Sequence, residues 1–219
     1  SLDIVSLTNA DNFSKYDAED MPAMREKGTK VLYQVDYGGR SGELADETKL
    51  GAYLDKVIAA VKKNGLDGYS FIPNAGDAAT ATAATLIVER LSAAKTEGQL
   101  LVFEGNPLFL TEDALSKVDY VVLDTEATEN VTDLKMQVLN ATGYAGVPAT
   151  KLLLAAAAGA PLYDENVEEH AAITEMAERV VSLGPLAGLG TYDIYNDYYD
   201  LDMNYKLVRN AIQTLNPSK

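Results

Sequence analysis

Short apolar runs alternate with amphipathic stretches over almost the whole of this 219-residue chain, and that alternation restricts the fold more than any other feature. A strand covered on both faces reads as a near-continuous apolar run, whereas a helix lying on a sheet shows apolar positions every three or four residues. Strand candidates fall at 3–7, 30–35, 66–72, 99–103, 119–123, 151–156 and 187–194. Between them, Leu50, Leu54, Val57, Ile58 and Val61 form one stripe of a helix over 46–63, and an Ala-rich helix over 78–94 carries Leu86, Ile87 and Leu91. Repetition of strand and helix in this order implies an α/β protein with a parallel sheet covered by helices. No repeat, linker or low-complexity tract interrupts it, so residues 1–219 read as one domain, long enough to bury a sizeable core.

The helix ends are marked by residues suited to them. Asp20 is placed to cap a short helix with Pro22 near its first turn and Gly28 at its end. Gly65 is placed to end its helix in a left-handed conformation, and Thr111 followed by Glu112 and Asp113 reads as a helix start. Further helices are expected over 132–142, 166–183 and 205–215, with Gly143, Gly184 and Pro217 as stops. The helix over 166–183 directs Ile173, Met176, Ala177, Val180 and Val181 inward and leaves Glu168, Glu169, Glu175 and Glu178 outside, with His170 exposed among them.

Charge narrows the partners. With 33 acidic against 18 basic residues the net charge is −15, which argues against nucleic acid and against anionic lipid and favours a neutral ligand. There is no Cys, hence no disulfide and no thiolate metal site; there is one His, hence no His pair for a ligand set or a triad. No calcium-loop spacing is present, and neither a metal nor a cofactor is expected. The longest apolar run, 152–160, is too short to span a bilayer. Thirteen Tyr accompany no Trp, and Tyr192, Tyr195, Tyr198 and Tyr199 cluster, which suits stacking on a flat ligand face such as a sugar ring, with Tyr37 and Tyr69 as further candidates.

The stretch 64–74 reads Asn-Gly-Leu-Asp-Gly-Tyr-Ser-Phe-Ile-Pro-Asn. It resembles the fourth strand of the family 18 glycoside hydrolases, whose motif is Asp-Gly-x-Asp-x-Asp-x-Glu. Asp67 and Gly68 match; Ser70 and Ile72 stand at the two inner Asp positions, and Asn74 stands at the position of the acid. The resemblance extends over nearly the whole chain and is strongest to the Bacteroidetes branch of endo-β-N-acetylglucosaminidases and their inactive relatives. Residues 3–7 are similar to the second barrel strand, 28–37 to the third, 119–124 to the sixth, 151–154 to the seventh and 188–193 to the eighth. The tail through 197–199 and 205–212 is similar to the end of that branch. The resemblance implies a TIM-type (β/α)8 barrel of which seven βα units are visible here. On it the first barrel strand is missing from this chain, so that either the chain is a fragment of a longer protein, the favoured expectation, or the barrel is closed by something else.

In the family a Glu protonates the leaving oxygen while an Asp orients the N-acetyl group of the substrate. Asn74 cannot donate that proton and Ile72 cannot orient that group, and loss of the acid alone costs about 10²–10⁴-fold. The resemblance therefore implies a pseudo-glycosidase that binds an N-acetylglucosamine-containing glycan at the carboxyl ends of its strands. Asp36, Tyr37, Asn74, Glu104, Asp124, Glu126, Tyr192, Asp193 and Tyr195 are the candidate contacts. Tyr192 stands where active members place an aromatic floor under the sugar. By the same resemblance such proteins are outer-membrane lipoproteins, anchored at the cell surface through an N-terminal lipid and acting with a TonB-dependent transporter and its partner lipoprotein. Two alternatives stand beside this reading: an active endoglycosidase using displaced carboxylates such as Glu104 and Glu126, and a purely structural subunit of a surface complex.

Overall fold

The computed structural model describes residues 2–73 and 78–217. The chain divides into two compact units, residues 1–105 with 109–119 and residues 106–108 with 120–219.

In the first unit four parallel strands follow one another in order, β1 (Ile4–Leu7), β2 (Lys30–Asp36), β3 (Gly68–Ile72) and β4 (Leu100–Glu104). Helix α1 (Lys15–Glu26) follows β1, α2 (Ser41–Leu44) and α3 (Glu47–Asn64) follow β2, α4 (Ala78–Ala94) follows β3, and α5 (Glu112–Ser116) follows β4. Register sets Tyr33 beside Tyr69 and Phe71 beside Phe103. Tyr33, Val35, Tyr69, Phe71, Leu101 and Phe103 share one face and are all buried, with the two Phe rings 5.7 Å apart and tilted. This is the helix-covered face: the Tyr33 hydroxyl meets Tyr53 of α3 and donates to Asp11. Because strand side chains alternate, the opposite face carries Gln34, Asp36, Ser70, Ile72, Val102 and Glu104.

Helix α1 begins earlier than Asp20. Ser14 caps it, its Oγ accepting from the Asp17 N–H while the Asp17 carboxylate accepts from the Ser14 N–H at 2.7 Å. That reciprocal box provides a start Asp20 cannot, and Pro22 lies inside the helix instead of opening it. The other ends follow expectation. Asp46 caps α3, Thr111 caps α5, and Gly65 leaves α3 at φ 61°, ψ 37°. Gly68 opens β3 at φ 131°, where a Cβ would collide with the Leu100 carbonyl.

In the second unit β5 (Tyr120–Val122), β6 (Leu152–Ala157) and β9 (Gly188–Tyr192) run parallel in that order. A hairpin of β7 (Pro161–Tyr163) and β8 (Glu169–Ala171) lies between β6 and β9 in the chain. Helix α6 (Val131–Leu139) continues into a π-type turn over Asn140–Tyr144. Helix α7 (Ala172–Ser182) packs against β6, and α8 (Lys206–Leu215) packs against α7. The buried Asp197 caps α8, accepting from the N–H groups of Leu207 and Val208 at 3.1 and 2.9 Å. Gly190 admits Val122 of β5 closely: a Cβ there would lie 3.1 Å from Val122 Cγ1.

The hairpin corrects the helix expected from residue 166. Asp164 Oδ1 accepts from the N–H groups of Asn166 and Glu168, and Val167 takes φ 64°, a conformation that cannot continue a right-handed helix. The helix starts only at Ala172, so His170 lies on a strand, half-buried. Glu175 also departs from expectation. It is buried and paired with Arg179, one turn further along α7, at 2.7 Å, while Val181 faces out. No helix among the described residues is long and apolar enough to cross a membrane.

Candidate functional site

Strand ends are where a parallel α/β protein of this kind gathers its functional side chains. In the first unit the carboxyl ends of β2, β3 and β4 bring Asp36, Ile72 and Glu104 to one face, with Gln34 and Ser70 one step deeper. Gln34 Nε2 donates to Glu104 Oε2 at 3.3 Å. Since Gln34 lies on β2 and Glu104 on β4, this bond crosses the face of β3 that carries Ser70 and Ile72. Ser70 is wholly buried, and its Oγ has no hydrogen-bond partner among the described residues. A serine is small enough to sit beneath such a bridge; a carboxylate there would be brought toward that of Glu104.

Asp36 is exposed and bound into its own turn, Oδ1 accepting from the Gly39 N–H at 2.7 Å. Tyr37 and Tyr69 are buried, with only 4% and 1% of their surface exposed, so neither ring is presented to solvent. Asp67, the carboxylate that matches the family motif, sits at the opposite end of β3 from these residues. Its Oδ2 accepts from the Val31 N–H at 2.9 Å and faces Arg25 Nε at 3.7 Å, so it ties β2 to β3 and takes no part in a site at the carboxyl ends. Asn74 lies outside the described residues.

In the second unit the segment after β5 is held by Thr125. Its buried Oγ1 donates to the Ala155 carbonyl and accepts from the Ala155 N–H, both at 2.8 Å. This clamp leaves Asp124 and Glu126 on either side of it, both exposed. Although Asp124 reaches solvent, the protein crowded around it holds its carboxyl above the usual range, and the negative charge of Glu126 adds to the effect. Asp124 also lines an open hollow of about 510 Å³ together with Thr128, Glu129, Asp133, Gln137 and Asn140. Carboxylates, an amide pair and a hydroxyl are the groups that bind sugar hydroxyls. Tyr192 ends β9 beside Ala157 of β6, half-exposed, and Asp193 follows it in a left-handed conformation at φ 53°. Tyr195 presents 68% of its surface and Tyr199 90%, while Tyr198 packs edge-on between Tyr199 and Tyr205.

Gln34 and, apart from Asp124, the residues around the hollow are not among the contacts expected from the sequence. Gln34 is legible there, since Gln34 and Asp36 share parity on β2 in an otherwise apolar strand. Thr128, Glu129, Asp133, Gln137 and Asn140 read as the polar side of a loop and helix, and no spacing marks them as concave.

No family model and no curated protein matches the chain. Solved structures are similar. The protein named BT1044, in a glutamate-to-glutamine form, has 19% identity and a TM-score of 0.76 over 99% of this chain and 80% of its own. A doubly substituted endo-β-N-acetylglucosaminidase from Cordyceps militaris, in complex with fucosyl-N-acetylglucosamine-Asn, has 17% identity and a TM-score of 0.72 over 99% of this chain and 81% of its own. A chitinase from Bacteroides thetaiotaomicron has 12% identity and a TM-score of 0.74 over 92% and 81%. A chitinase from Pseudoalteromonas aurantia described as family 18 is similar over 97% of this chain with a TM-score of 0.73. Likeness at this level, over nearly the full chain, fixes the fold: this is the α/β barrel fold of the family 18 chitinases and endo-β-N-acetylglucosaminidases, with seven of its strands in this chain.

Proposed function

We propose that this chain is a glycan-binding protein that holds N-acetylglucosamine-containing glycans at the carboxyl ends of its strands without cleaving them. The observation that carries the reading is the face of β3 that carries Ser70 and Ile72, where Ser70 is wholly buried, Ile72 is aliphatic and Gln34 is bonded to Glu104 across the strand. No acid and no group able to orient an N-acetyl substituent stands on that face of β3 among the described residues. Polar groups remain for recognition, Glu104 in the first unit and Asp124 with its hollow in the second, together with the partly open Tyr192 ring. The Cordyceps militaris relative of this fold is in complex with a fucosylated N-acetylglucosamine, which supports the ligand class. The biological setting proposed with it is capture at a bacterial outer-membrane surface, on a lipid-anchored protein working beside a TonB-dependent transporter and its partner lipoprotein.

The test is retention of the protein on an array of N-glycans, mucin glycans and chitooligosaccharides, beside mass spectrometry of an N-glycoprotein panel incubated with it. Retention without release of oligosaccharide is expected, with affinity about tenfold weaker in Tyr192→Ala and in Glu104→Gln. Absence of retention on every glycan overturns the reading. A second reading, hydrolysis by displaced carboxylates, is favoured by one observation: Asp124 is held toward its protonated form beside Glu126, a combination suited to an acid and its partner. Release of oligosaccharide that disappears in Glu126→Gln would establish it.

A further inference from the structure

The β7–β8 hairpin gathers three metal-binding side chains at a place the proposed glycan contacts do not use. Asp164, Glu168 and His170 each offer one ligand atom, and these atoms all lie within 4.8 Å of one another. Asp164 Oδ2 and His170 Nε2 are 3.3 Å apart. Two ligands held by one zinc ion at about 2.0–2.2 Å and a near-tetrahedral angle stand about 3.3–3.5 Å from each other, so this pair is already at the required separation. The division of labour at Asp164 makes that possible. Its Oδ1 accepts from the N–H groups of Asn166 and Glu168 at 2.8 and 2.9 Å and holds the turn, while Oδ2 is directed at the imidazole. Glu168 is exposed, and its ligand atom lies within 4.8 Å of the other two.

The surroundings favour a cation. Glu165 and Glu175 add their charges to those of Asp164 and Glu168. The guanidinium among them, Arg179, is engaged by Glu165 at 2.8 Å and Glu175 at 2.7 Å. An imidazole nitrogen distinguishes the cluster from an ordinary acidic surface, because nitrogen ligands select zinc and its transition-metal neighbours over calcium and magnesium. We propose that Asp164, Glu168 and His170 bind one divalent transition-metal ion, zinc foremost, with water completing its coordination, and that the ion fastens the turn of the hairpin.

The experiment uses the whole chain stripped with a chelator, titrated calorimetrically with Zn²⁺ and, separately, with Co²⁺ followed by visible absorption. One ion per chain is expected, with a cobalt spectrum of low coordination number and no saturable response to Ca²⁺. Affinity should fall at least tenfold in His170→Ala and in Asp164→Asn, and by less than about threefold in Glu165→Gln, which removes a neighbouring charge and no ligand. The Asn variant keeps an acceptor at Oδ1 for the turn, so far-UV circular dichroism separates loss of a ligand from loss of the hairpin. Absence of saturable Zn²⁺ binding, undiminished binding in His170→Ala, or Ca²⁺ binding as tight as Zn²⁺ overturns the proposal.

Discussion

Replacing Thr125 by Val keeps the shape of the side chain and removes the hydroxyl that serves both backbone groups of Ala155. In a parallel ladder the N–H and C=O of one residue point to the same side, so the groups of Ala155 that meet Thr125 have no alternative on β9. Thr125 and Ala155 are both fully buried, and water cannot replace the bonds. Leaving a buried donor and a buried acceptor unpaired costs about 1–3 kcal/mol each, and the extra methyl returns about 0.8 kcal/mol. The expected net loss is about 1–5 kcal/mol, centred near 3, a large share of the 5–15 kcal/mol typical of a folded domain. In urea, followed by far-UV circular dichroism, a slope of about 3 kcal/mol/M converts this to a midpoint lower by about 1 M. Thr125→Ser keeps the hydroxyl and loses one methyl, at about 1 kcal/mol. A Val variant within about 0.5 kcal/mol of the natural chain, or a Ser variant as damaged as the Val one, would refute the clamp and with it the account of how Asp124 and Glu126 are positioned.

Gly68→Ala should abolish the pairing of β3 with β4, since its Cβ has nowhere to go beside Leu100; cooperative unfolding at the natural midpoint would contradict this. Ser70→Asp, which restores one residue of the family motif, should destabilise by about 3 kcal/mol or more because it buries an unpaired charge on the face that carries Glu104, read as a lowered thermal midpoint at pH 7. Asp124 binds its proton more readily folded than unfolded. The stability it contributes is therefore fully present below its unfolded value and lost as pH rises through the raised folded one. Asp124→Asn should accordingly raise the thermal midpoint at pH 7 relative to the natural chain and narrow the difference near pH 3; the reverse order would exclude the raised carboxyl.

Element type was legible wherever burial dictates periodicity. The runs at 30–35 and 99–103 become β2 and β4 within a residue because both faces of those strands are covered, and the stripe from Leu50 to Val61 is the buried side of α3. Where local polar bonds compete with periodicity, the sequence misleads. Ser14 with Asp17 outbids Asp20 as a cap, a choice made by two hydrogen bonds that a list of capping residues does not rank. At 166–171 the acidic composition reads as the polar face of a helix. The Asp164 side chain instead takes the N–H groups that a helix would have used, and the strand pairing of Leu162 with His170 follows. From spacing alone Glu175 reads as exposed, beside the apolar stripe; its pairing with Arg179 is what permits burial.

The candidate site was legible at single positions and not in their coupling. From sequence, Ser70 and Ile72 are two losses from a motif. In the structure Ser70 is one member of a set on three strands, for Gln34 supplies an amide donor from β2, Glu104 supplies the acceptor from β4, and Ser70 is the small buried side chain on the same face of the strand between them. A carboxylate restored at 70 would stand beneath that bond with no donor assigned to it, and its repulsion toward Glu104 would add to its burial cost. Restoring the motif one residue at a time should therefore damage the fold before it returns any chemistry. A fair test of latent hydrolysis is the combined Ser70→Asp, Ile72→Asp, Asn74→Glu variant with Glu104→Gln added to remove the competing charge, assayed for oligosaccharide release beside the same set with Glu104 kept. If both are folded and silent, more than the motif separates this chain from catalysis. Activity confined to the Gln variant would show that the Gln34 to Glu104 bridge and the lost carboxylates are alternatives on one face.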